Sequence, residues 1–329
     1  MKHLAITTDK SILAPSTVTF NSLLFAVGRS KKQDIANQVL KVIKHMEDLD
    51  EGNSHISSRP NIVTYNTAIS ILGKANRFEE AKHIFDQVCS ARPRIVNTIT
   101  YNSFLNALSW CPSRDASHQA LSVLKQMNEP NTRTYNTVMK VLSKHKCYDQ
   151  MESLLDEMEN LYKEGMPLII PNTITYATLI SAYTRSSLPD KRLRVMDILK
   201  RMNSAQKAGN EFAVSDTKLY NGILKSNLFA NSMKNTSTSK INENLMNSRY
   251  IFQIMLASSS SNCDPDEFTY AIMFKTLAKS IPSKKERIEE MSKLFISCCK
   301  HGMNNGYVLS ELRKVVPKHV FDEVTNNDV

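Results

Sequence analysis

The chain has 329 residues, of which 41% are hydrophobic, so it can bury a large core. Its 42 basic and 32 acidic residues give a net charge of +10, which favours an anionic partner such as nucleic acid. None of its six cysteines forms a Cys-x-x-Cys pair, so we expect reduced and mostly packed thiols. No apolar run approaches the roughly 20 residues that a membrane helix needs.

Residues 1–16 are expected to form an N-terminal tail or partial repeat. They contain Lys2 and Lys10, no arginine and one acid, Asp9, which suits neither a transit peptide nor a signal peptide. A repeat boundary follows at Pro15-Ser16. We therefore expect earlier repeats or a targeting segment upstream of this boundary in a longer protein.

A short motif, usually Thr-Tyr-Asn, recurs seven times along the chain. Its aromatic residue is found at Phe20, Tyr65, Tyr101, Tyr135, Tyr176, Tyr220 and Tyr270. These aromatic residues lie 45, 36, 34, 41, 44 and 50 positions apart, so the shortest spacings give the bare repeat and the others carry insertions. A period of this size predicts an array of small structural units.

The stretch 62–97 shows how one repeat folds. Apolar residues at 62, 65, 69 and 72 form a helical stripe, and a second stripe runs from Phe78 to Cys89 after a turn at Asn76 and Arg77. Each repeat is therefore predicted to be a helical hairpin, with further second helices at 34–49, 117–128, 149–162, 190–203, 248–257 and 286–300. One hairpin cannot bury both its faces, so seven hairpins over 17–305 predict an all-α, right-handed superhelical solenoid with one concave face.

Insertions between the hairpins are expected as loops on a rim, near 51–59, 164–170, 205–214 and 233–247. The last insertion is rich in Asn, Ser, Thr and Lys, which predicts a flexible segment. Residues 306–329 are expected to form a C-terminal capping helix, from Tyr307 to Val316, followed by a polar tail.

The stretch from Asn61 to Ile69, followed by Gly73 to Ala81, resembles the pentatricopeptide repeat almost residue for residue. The resemblance covers about 17–305 with gaps at the insertions, and it is to a P-type array without an added catalytic domain. A tetratricopeptide repeat would show its Trp-Leu-Gly-Tyr pattern in the first helix, whereas the single tryptophan, Trp110, lies near the end of a first helix.

This resemblance implies sequence-selective binding of single-stranded RNA, with about one base per repeat. It also implies a mitochondrial or plastid protein that acts in RNA processing, stability or translation. An RNA-processing protein remains open as a further partner.

The resemblance further implies that the fifth and last residues of a repeat read the base, counting from two residues before its threonine. These pairs are Asn21 with Asn61, Asn66 with Asn97, Asn102 with Asn131, Asn136 with Asn172, Ala177 with Asp216, and Asn221 with Asp266. The seventh repeat has Ala271, with Asn305 as a candidate last residue. Asparagine both donates and accepts hydrogen bonds, and the four Asn/Asn pairs imply pyrimidines. With the family's parallel orientation, the resemblance implies an RNA site of four pyrimidines, any base and uracil, written 5′ to 3′.

Two more positions complete the implied site. The second residue of a repeat should stack on the base, and it is Val18, Val63, Ile99, Arg133, Ile174 and Phe268, with Lys218 departing from the pattern. The thirteenth residue is a cation suited to phosphate at Arg29, Lys74, Lys144, Arg185 and Lys279, and an aromatic residue at Trp110 and Phe229.

These side chains also have structural explanations. The last-position asparagines precede helices, where capping explains each of them at least as well as base contact does. The fifth-position asparagines lie inside helices, where asparagine is a poor helix former, so their recurrence indicates another selection. The thirteenth-position cations could equally support the helix dipole. The motif tyrosines are expected to pack between helices.

No catalytic site, metal or cofactor is predicted. Cys298-Cys299-Lys300-His301 lacks a second cluster that would complete a metal site, and the acidic turn at Asp264, Asp266 and Glu267 lacks further paired carboxylates. Phosphate-loop and hydrolase motifs do not occur. The chain is therefore predicted not to be an enzyme. The alternatives are a protein-protein interaction scaffold and a fragment of a longer enzyme.

Overall fold

The computed structural model describes residues 15–30, 34–52, 58–230, 237–257 and 261–326. These residues form sixteen α-helices and two 3-10 helices (Pro93–Ile95 and Ser261–Cys263) and contain no strand, which confirms the all-α class. The α-helices are α1 (Thr17–Arg29), α2 (Ile35–Gly52), α3 (Ile62–Lys74), α4 (Phe78–Ala91), α5 (Thr98–Leu108), α6 (Ala116–Gln126), α7 (Thr132–Lys144), α8 (Tyr148–Lys163), α9 (Thr173–Arg185), α10 (Lys191–Lys207), α11 (Thr217–Ala230), α12 (Thr238–Ala257), α13 (Glu267–Ser280), α14 (Lys284–Lys300), α15 (Gly306–Val315) and α16 (Lys318–Asn326).

The chain divides into two compact units, unit 1 (Met1–Pro171) and unit 2 (Asn172–Val329). In unit 1 the odd-numbered helices α1, α3, α5 and α7 pack side by side, and the even-numbered helices form a second layer behind them. Unit 2 repeats this plan, with α9, α11, α13 and α15 in the first layer. Each unit is thus a two-layer stack of hairpins, in which every odd-numbered helix from α1 to α13 is the first helix of its repeat and α15 packs on α13.

Tight turns close the hairpins. In the second repeat the Arg77 backbone N–H donates to the Leu72 carbonyl at 2.9 Å, and Asn76 between them has a φ of 57°. The fourth repeat has the same turn, with Lys146 at a φ of 61°. This left-handed conformation ends a helix and reverses the chain, and it favours glycine or asparagine.

The motif tyrosines lie in the core, as predicted. Five of them are buried, namely Tyr65, Tyr135, Tyr176, Tyr220 and Tyr270, and Tyr101 is half-buried. The Tyr135 hydroxyl donates to Glu157 Oε1 at 2.6 Å, which joins α7 to α8. Burial of the ring and this carboxylate both raise the pKa of Tyr135. Tyr135 therefore fixes the first helix of its repeat to the second.

Two expectations for polar stretches were wrong. The loop predicted over 233–247 is helical from Thr238 onward, because α12 begins there; residues 231–236 lie outside the described residues. The polar tail predicted after the capping helix contains α16, which buries Val320, Phe321 and Val324. In both cases a narrow apolar stripe suffices to dock a helix whose other faces are polar.

The remaining insertions agree more closely with the structure. The segment 164–170 is a loop between α8 and α9, as predicted. Helix α10 runs on to Lys207, and α2 to Gly52, so the loops predicted from 205 and from 51 begin later than expected. Residues 53–57 lie outside the described residues.

Candidate nucleic-acid interface

A polar side chain caps the N-terminus of each first helix from α3 to α13. Asn97 Oδ1 accepts from the Thr100 backbone N–H at 3.1 Å, and Thr100 Oγ1 accepts from the Asn97 N–H at 3.4 Å. The same two-way cap forms at Asn61, Asn131, Asn172 and Asp266. At α11 Asp216 Oδ1 accepts from the Leu219 N–H at 2.8 Å, but leucine returns no bond. Every predicted last-position residue is therefore a helix cap.

The cap fixes which atom of the side chain is left for a ligand. Oδ1 is committed to the N-terminus of the helix, so the second terminal atom remains. In asparagine that atom is the Nδ2 amide, which donates hydrogen bonds, and in Asp216 and Asp266 it is a carboxylate oxygen, which accepts them. Capping and base contact are thus compatible, because they use different atoms of one side chain.

The structure brings two predicted base-reading pairs into direct contact. Asn21 Nδ2 donates to Asn61 Oδ1 at 3.3 Å, and Asn221 Nδ2 donates to Asp266 Oδ1 at 2.9 Å. The capping-box threonine completes each group, since Thr269 Oγ1 donates to Asn221 Oδ1 at 2.7 Å. The fifth residue of one repeat therefore lies beside the last residue, at the start of the next first helix.

Two other fifth-position asparagines carry an oxygen without a partner. Asn66 Oδ1 and Asn102 Oδ1 are buried, and neither accepts a hydrogen bond from any residue that the structure describes. A buried polar atom left in this state costs about 1–3 kcal/mol. Asn136 is half-buried in the same position, whereas Ala177 and Ala271 offer no polar side-chain atom. The array thus retains polar atoms that its own fold leaves unsatisfied.

The predicted stacking residues form an exposed row in each unit. Large apolar side chains occupy five of these positions and are between 51% and 72% exposed: Val18, Val63, Ile99, Ile174 and Phe268. Arg133 and Lys218 are exposed in the other two repeats. Each lies three residues before the fifth position, so both share one helix face. Single exposed apolar residues are ordinary, but the same position in five repeats is a pattern.

The predicted phosphate cations end the first helices and are all exposed. Lys144 Nζ donates to the Ser109 carbonyl at 2.7 Å, and Arg185 Nε donates to the Ser181 carbonyl at 3.0 Å. The Arg29 guanidinium lies 5.5 Å from the centre of the Phe25 ring. All five, with Lys74 and Lys279, lie in the last turn of a helix and also complement its negative end.

A cleft of about 1020 Å³ opens between α9 and α11 in unit 2. Its lining includes Ile174, Ala177, Asp216 and Lys218, so the predicted residues of the fifth and sixth repeats share one surface. Phe229 stands at the edge of the same cleft and is exposed. The predicted site residues of these two repeats therefore converge rather than scatter.

The first residue of each repeat was not among the predicted site residues, yet in most repeats it helps to position the first helix. Thr173 Oγ1 donates to the Val214 carbonyl at 2.7 Å, and Thr132 Oγ1 donates to the Ile170 carbonyl at 3.0 Å. Equivalent bonds start from Thr17, Thr98 and Thr217. Each bond ties the start of a first helix to the segment that leads into the next repeat. Threonine at this position in five of the seven repeats was the available signal.

Other candidate sites are less developed. The cysteines, all within the described residues, are free thiols, and burial raises the pKa of the Cys298 thiol to about 12. Among the described residues no group of three or more His, Cys, Asp and Glu side chains could hold a metal ion. Within the same residues, no helix has the length and apolar character needed to cross a membrane.

Comparison with protein families gives three matches along the chain. A model of the pentatricopeptide repeat domain matches residues 9–75, the PPR repeat family matches 60–110, and the PPR repeat matches 133–161. The chain therefore carries pentatricopeptide repeats at these residues. The match over 60–110 includes the stretches Asn61–Ile69 and Gly73–Ala81, which carry the resemblance.

Two relatives from Arabidopsis thaliana illustrate how far this pentatricopeptide repeat chain extends. A pentatricopeptide repeat-containing protein named as chloroplastic is 30% identical over 132 residues, which are 40% of this chain and 25% of the relative. The small ribosomal subunit protein mL103 is 22% identical over 288 residues, 87% of this chain and 61% of the relative. The chain thus spans between a quarter and about three fifths of these relatives.

A solved structure shares the fold. The crystal structure of the pentatricopeptide repeat protein PPR10 in complex with an 18-nt psaJ RNA element aligns with a TM-score of 0.52 at 18% identity. The alignment covers 95% of this chain and 44% of PPR10. At this identity the likeness shows the helical-repeat fold.

Proposed function

We propose that this pentatricopeptide repeat chain binds single-stranded RNA selectively, prefers pyrimidines and does no chemistry of its own. The observation that carries the proposal is the recurrence, from repeat to repeat, of an exposed stacking residue beside a fifth-position amide and a capping residue. The solved complex of PPR10 with RNA supports the same class of ligand. A net charge of +10 supports an anionic one.

The chemistry follows from the atoms that the caps leave over. The Nδ2 amide of Asn61, Asn97 or Asn131 can donate to the O2 or N3 acceptors of cytosine, or to the carbonyl oxygens of uracil. The free carboxylate oxygen of Asp266 can accept from the N3–H of uracil. Ala177 adds no hydrogen bond, so the fifth repeat is expected to be weakly selective. The preference for pyrimidines over purines rests on the family resemblance of the Asn/Asn pairs.

Affinity would come mainly from stacking and charge. Stacking contributes about 1–3 kcal/mol per base in single-strand binders, and the exposed row supplies six candidate platforms. Cations at the thirteenth position would meet the phosphates. Because ordering the RNA costs free energy, the sum of these terms is an upper bound.

We further propose that the chain acts in an organelle, a mitochondrion or a plastid, in RNA processing, stability or translation. Relatives named as chloroplastic support an organellar location. The relative named as a small ribosomal subunit protein favours translation among these roles. Function of this kind requires only occupancy of a transcript.

The test compares two labelled RNAs, one with four pyrimidines, any base and uracil, and one of purines, at two salt concentrations. We expect tighter binding of the first, and a slope of log affinity against log salt no steeper than about −3.5, which is five cations at about −0.7 each. The double variant Asn66→Ala and Asn102→Ala should lose the preference while it stays folded. Asn160→Ala, an exposed asparagine on α8, is the matched control.

The proposal fails if neither RNA binds at low salt. That result would favour the protein-interaction scaffold, which predicts no salt-sensitive RNA affinity. Equal binding of both RNAs would retain RNA binding and remove the base-reading assignment.

A further inference from the structure

The third repeat carries the single tryptophan of the chain where five other repeats carry a cation. Trp110 follows the end of α5, and its side chain is 41% exposed, so it is not a core residue. An exposed indole is a large apolar surface with a flat face, which suits binding more than stability. The family resemblance assigns it no role.

Two lysines of the next repeat reach across to this indole. Lys140 and Lys144 lie one turn apart on α7, and their ammonium nitrogens are 5.7 and 5.0 Å from the centre of the Trp110 ring. Lys140 Nζ donates to Asn106 Oδ1 at 3.1 Å, and Lys144 Nζ donates to the Ser109 carbonyl at 2.7 Å. Because Asn106 and Ser109 shortly precede Trp110 in the chain, these bonds hold both ammonium groups beside the ring.

The two ammonium groups keep capacity for an anion. Each has three N–H donors, and the contacts to α5 use one donor of each. Neither lysine forms an ion pair with a carboxylate among the residues that the structure describes. Single-strand binders combine an aromatic face for the base with nearby cations for its phosphate, and the indole with its two unneutralised lysines offers both.

This site is separate from the base-reading row. Ile99 lies near the start of α5 and Trp110 just past its end, and the nine residue steps from Ile99 to Leu108 alone rise by about 14 Å at about 1.5 Å per residue. A base stacked on Ile99 cannot also contact the indole. Whatever base stacks on Trp110 therefore belongs to a different nucleotide from the one that the third repeat reads.

We propose that Trp110, Lys140 and Lys144 form an additional nucleotide site in unit 1, which accepts one base that the repeats do not read. The base stacks on the indole, and an adjoining phosphate contacts the two ammonium groups. Because every base has an aromatic face, the site tolerates any base. The inference rests on the proposed RNA binding. The sixth repeat has a parallel arrangement, since Phe229 at the same position lines the α9–α11 cleft together with Lys225 and Lys279.

The lone tryptophan makes the test site-specific. Anisotropy of a labelled RNA reports all binding, while emission of Trp110 and its quenching by acrylamide report this site in the same sample. We expect bound RNA to shield the indole from acrylamide. Trp110→Ala should weaken RNA binding about five- to 150-fold, which is the 1–3 kcal/mol of one stacked base, and Trp110→Phe should restore most of it. Phe212→Ala removes an exposed aromatic residue elsewhere in the chain and should change nothing.

Two further measurements distinguish a nucleotide site from a purely structural role of Trp110. Lys140 adds a sixth cation to the five counted for the proposed function, which moves the expected limit of the salt slope to about −4.2 at about −0.7 each. The double variant Lys140→Gln and Lys144→Gln should make the slope shallower by about 1.4, two contacts at about 0.7 each. An RNA with one extra nucleotide between the third and fourth read bases should bind the wild type but lose affinity in Trp110→Ala. Circular dichroism verifies that each variant is folded.

The outcomes distinguish this inference from the proposed function. If the labelled RNA binds while Trp110 stays open to acrylamide, the nucleotide site is overturned and the RNA-binding proposal stands. An unchanged salt slope in the lysine variant would overturn it as well. If anisotropy shows no binding of any RNA, the proposed function itself fails and takes this inference with it.

Discussion

Two variants of Asn97 can separate helix capping from base recognition, because the two roles use different atoms of its side chain. Its Oδ1 accepts from the Thr100 N–H at 3.1 Å and from Thr100 Oγ1 at 3.2 Å, so Asn97→Ala removes the cap of α5. Loss of such a cap costs about 1 kcal/mol, within a range of about 0.5–2. Asn97→Asp retains Oδ1 and places a negative charge at the positive end of the helix, so the fold should lose nothing.

The same two variants should differ in base preference. The cap leaves Nδ2 of Asn97 as a donor, and Asn97→Asp replaces this donor by a carboxylate oxygen that accepts. The second base of the RNA, read by Asn66 and Asn97, should therefore shift from cytosine toward uracil. One hydrogen bond contributes about 0.5–1.5 kcal/mol net, which corresponds to about a two- to tenfold change in the ratio of affinities.

The assay uses two RNAs that differ only at this second base, with urea denaturation run on the same variants. The ratio of the two affinities is the readout, because added negative charge near RNA weakens both complexes alike. If Asn97→Asp keeps wild-type stability and the wild-type ratio of affinities, capping is the whole role of Asn97. The assignment of Asn97 Nδ2 to base contact is then refuted. A ratio that changes only in step with lost stability would refute it equally.

Three further predictions concern stability. Gly73→Ala should cost about 1–3 kcal/mol in chemical denaturation, because an added Cβ would lie 2.5 Å from a side-chain carbon of α5 and 2.6 Å from its backbone; an unchanged midpoint would contradict this close packing. Lys146→Gly should raise the free energy of unfolding by up to about 1 kcal/mol, since its φ of 61° suits glycine, and a loss would show that the side chain matters more. Hydrogen bonds and charge from Lys275 and then Lys314 lower the pKa of Glu311, so its stabilisation is full above the usual glutamate pKa and is lost as pH falls through the lowered value. Glu311→Gln should remove that part of the acid sensitivity, which denaturation curves between neutral and acid pH would measure.

Much of the fold could be predicted from local pattern. The predicted first helix at 62–74 coincides with α3, because its apolar residues recur at helical spacing and Asn61 marks its start. The same logic failed at α12 and α16, where the polar majority of the sequence hid a narrow buried stripe. Composition alone could not show it, because a helix needs apolar residues on only one face.

The candidate site likewise combines features that the sequence predicts and features that only the tertiary structure shows. Sequence alone determined the seven repeats, their helical hairpins and the positions of the caps, because each depends on residues a few positions apart. Only the tertiary structure decided that Asn21 meets Asn61, that Asn66 and Asn102 keep unpartnered oxygens, and that two lysines flank Trp110. These contacts join residues about a repeat apart, and their geometry depends on how closely neighbouring first helices pack, which no local pattern encodes.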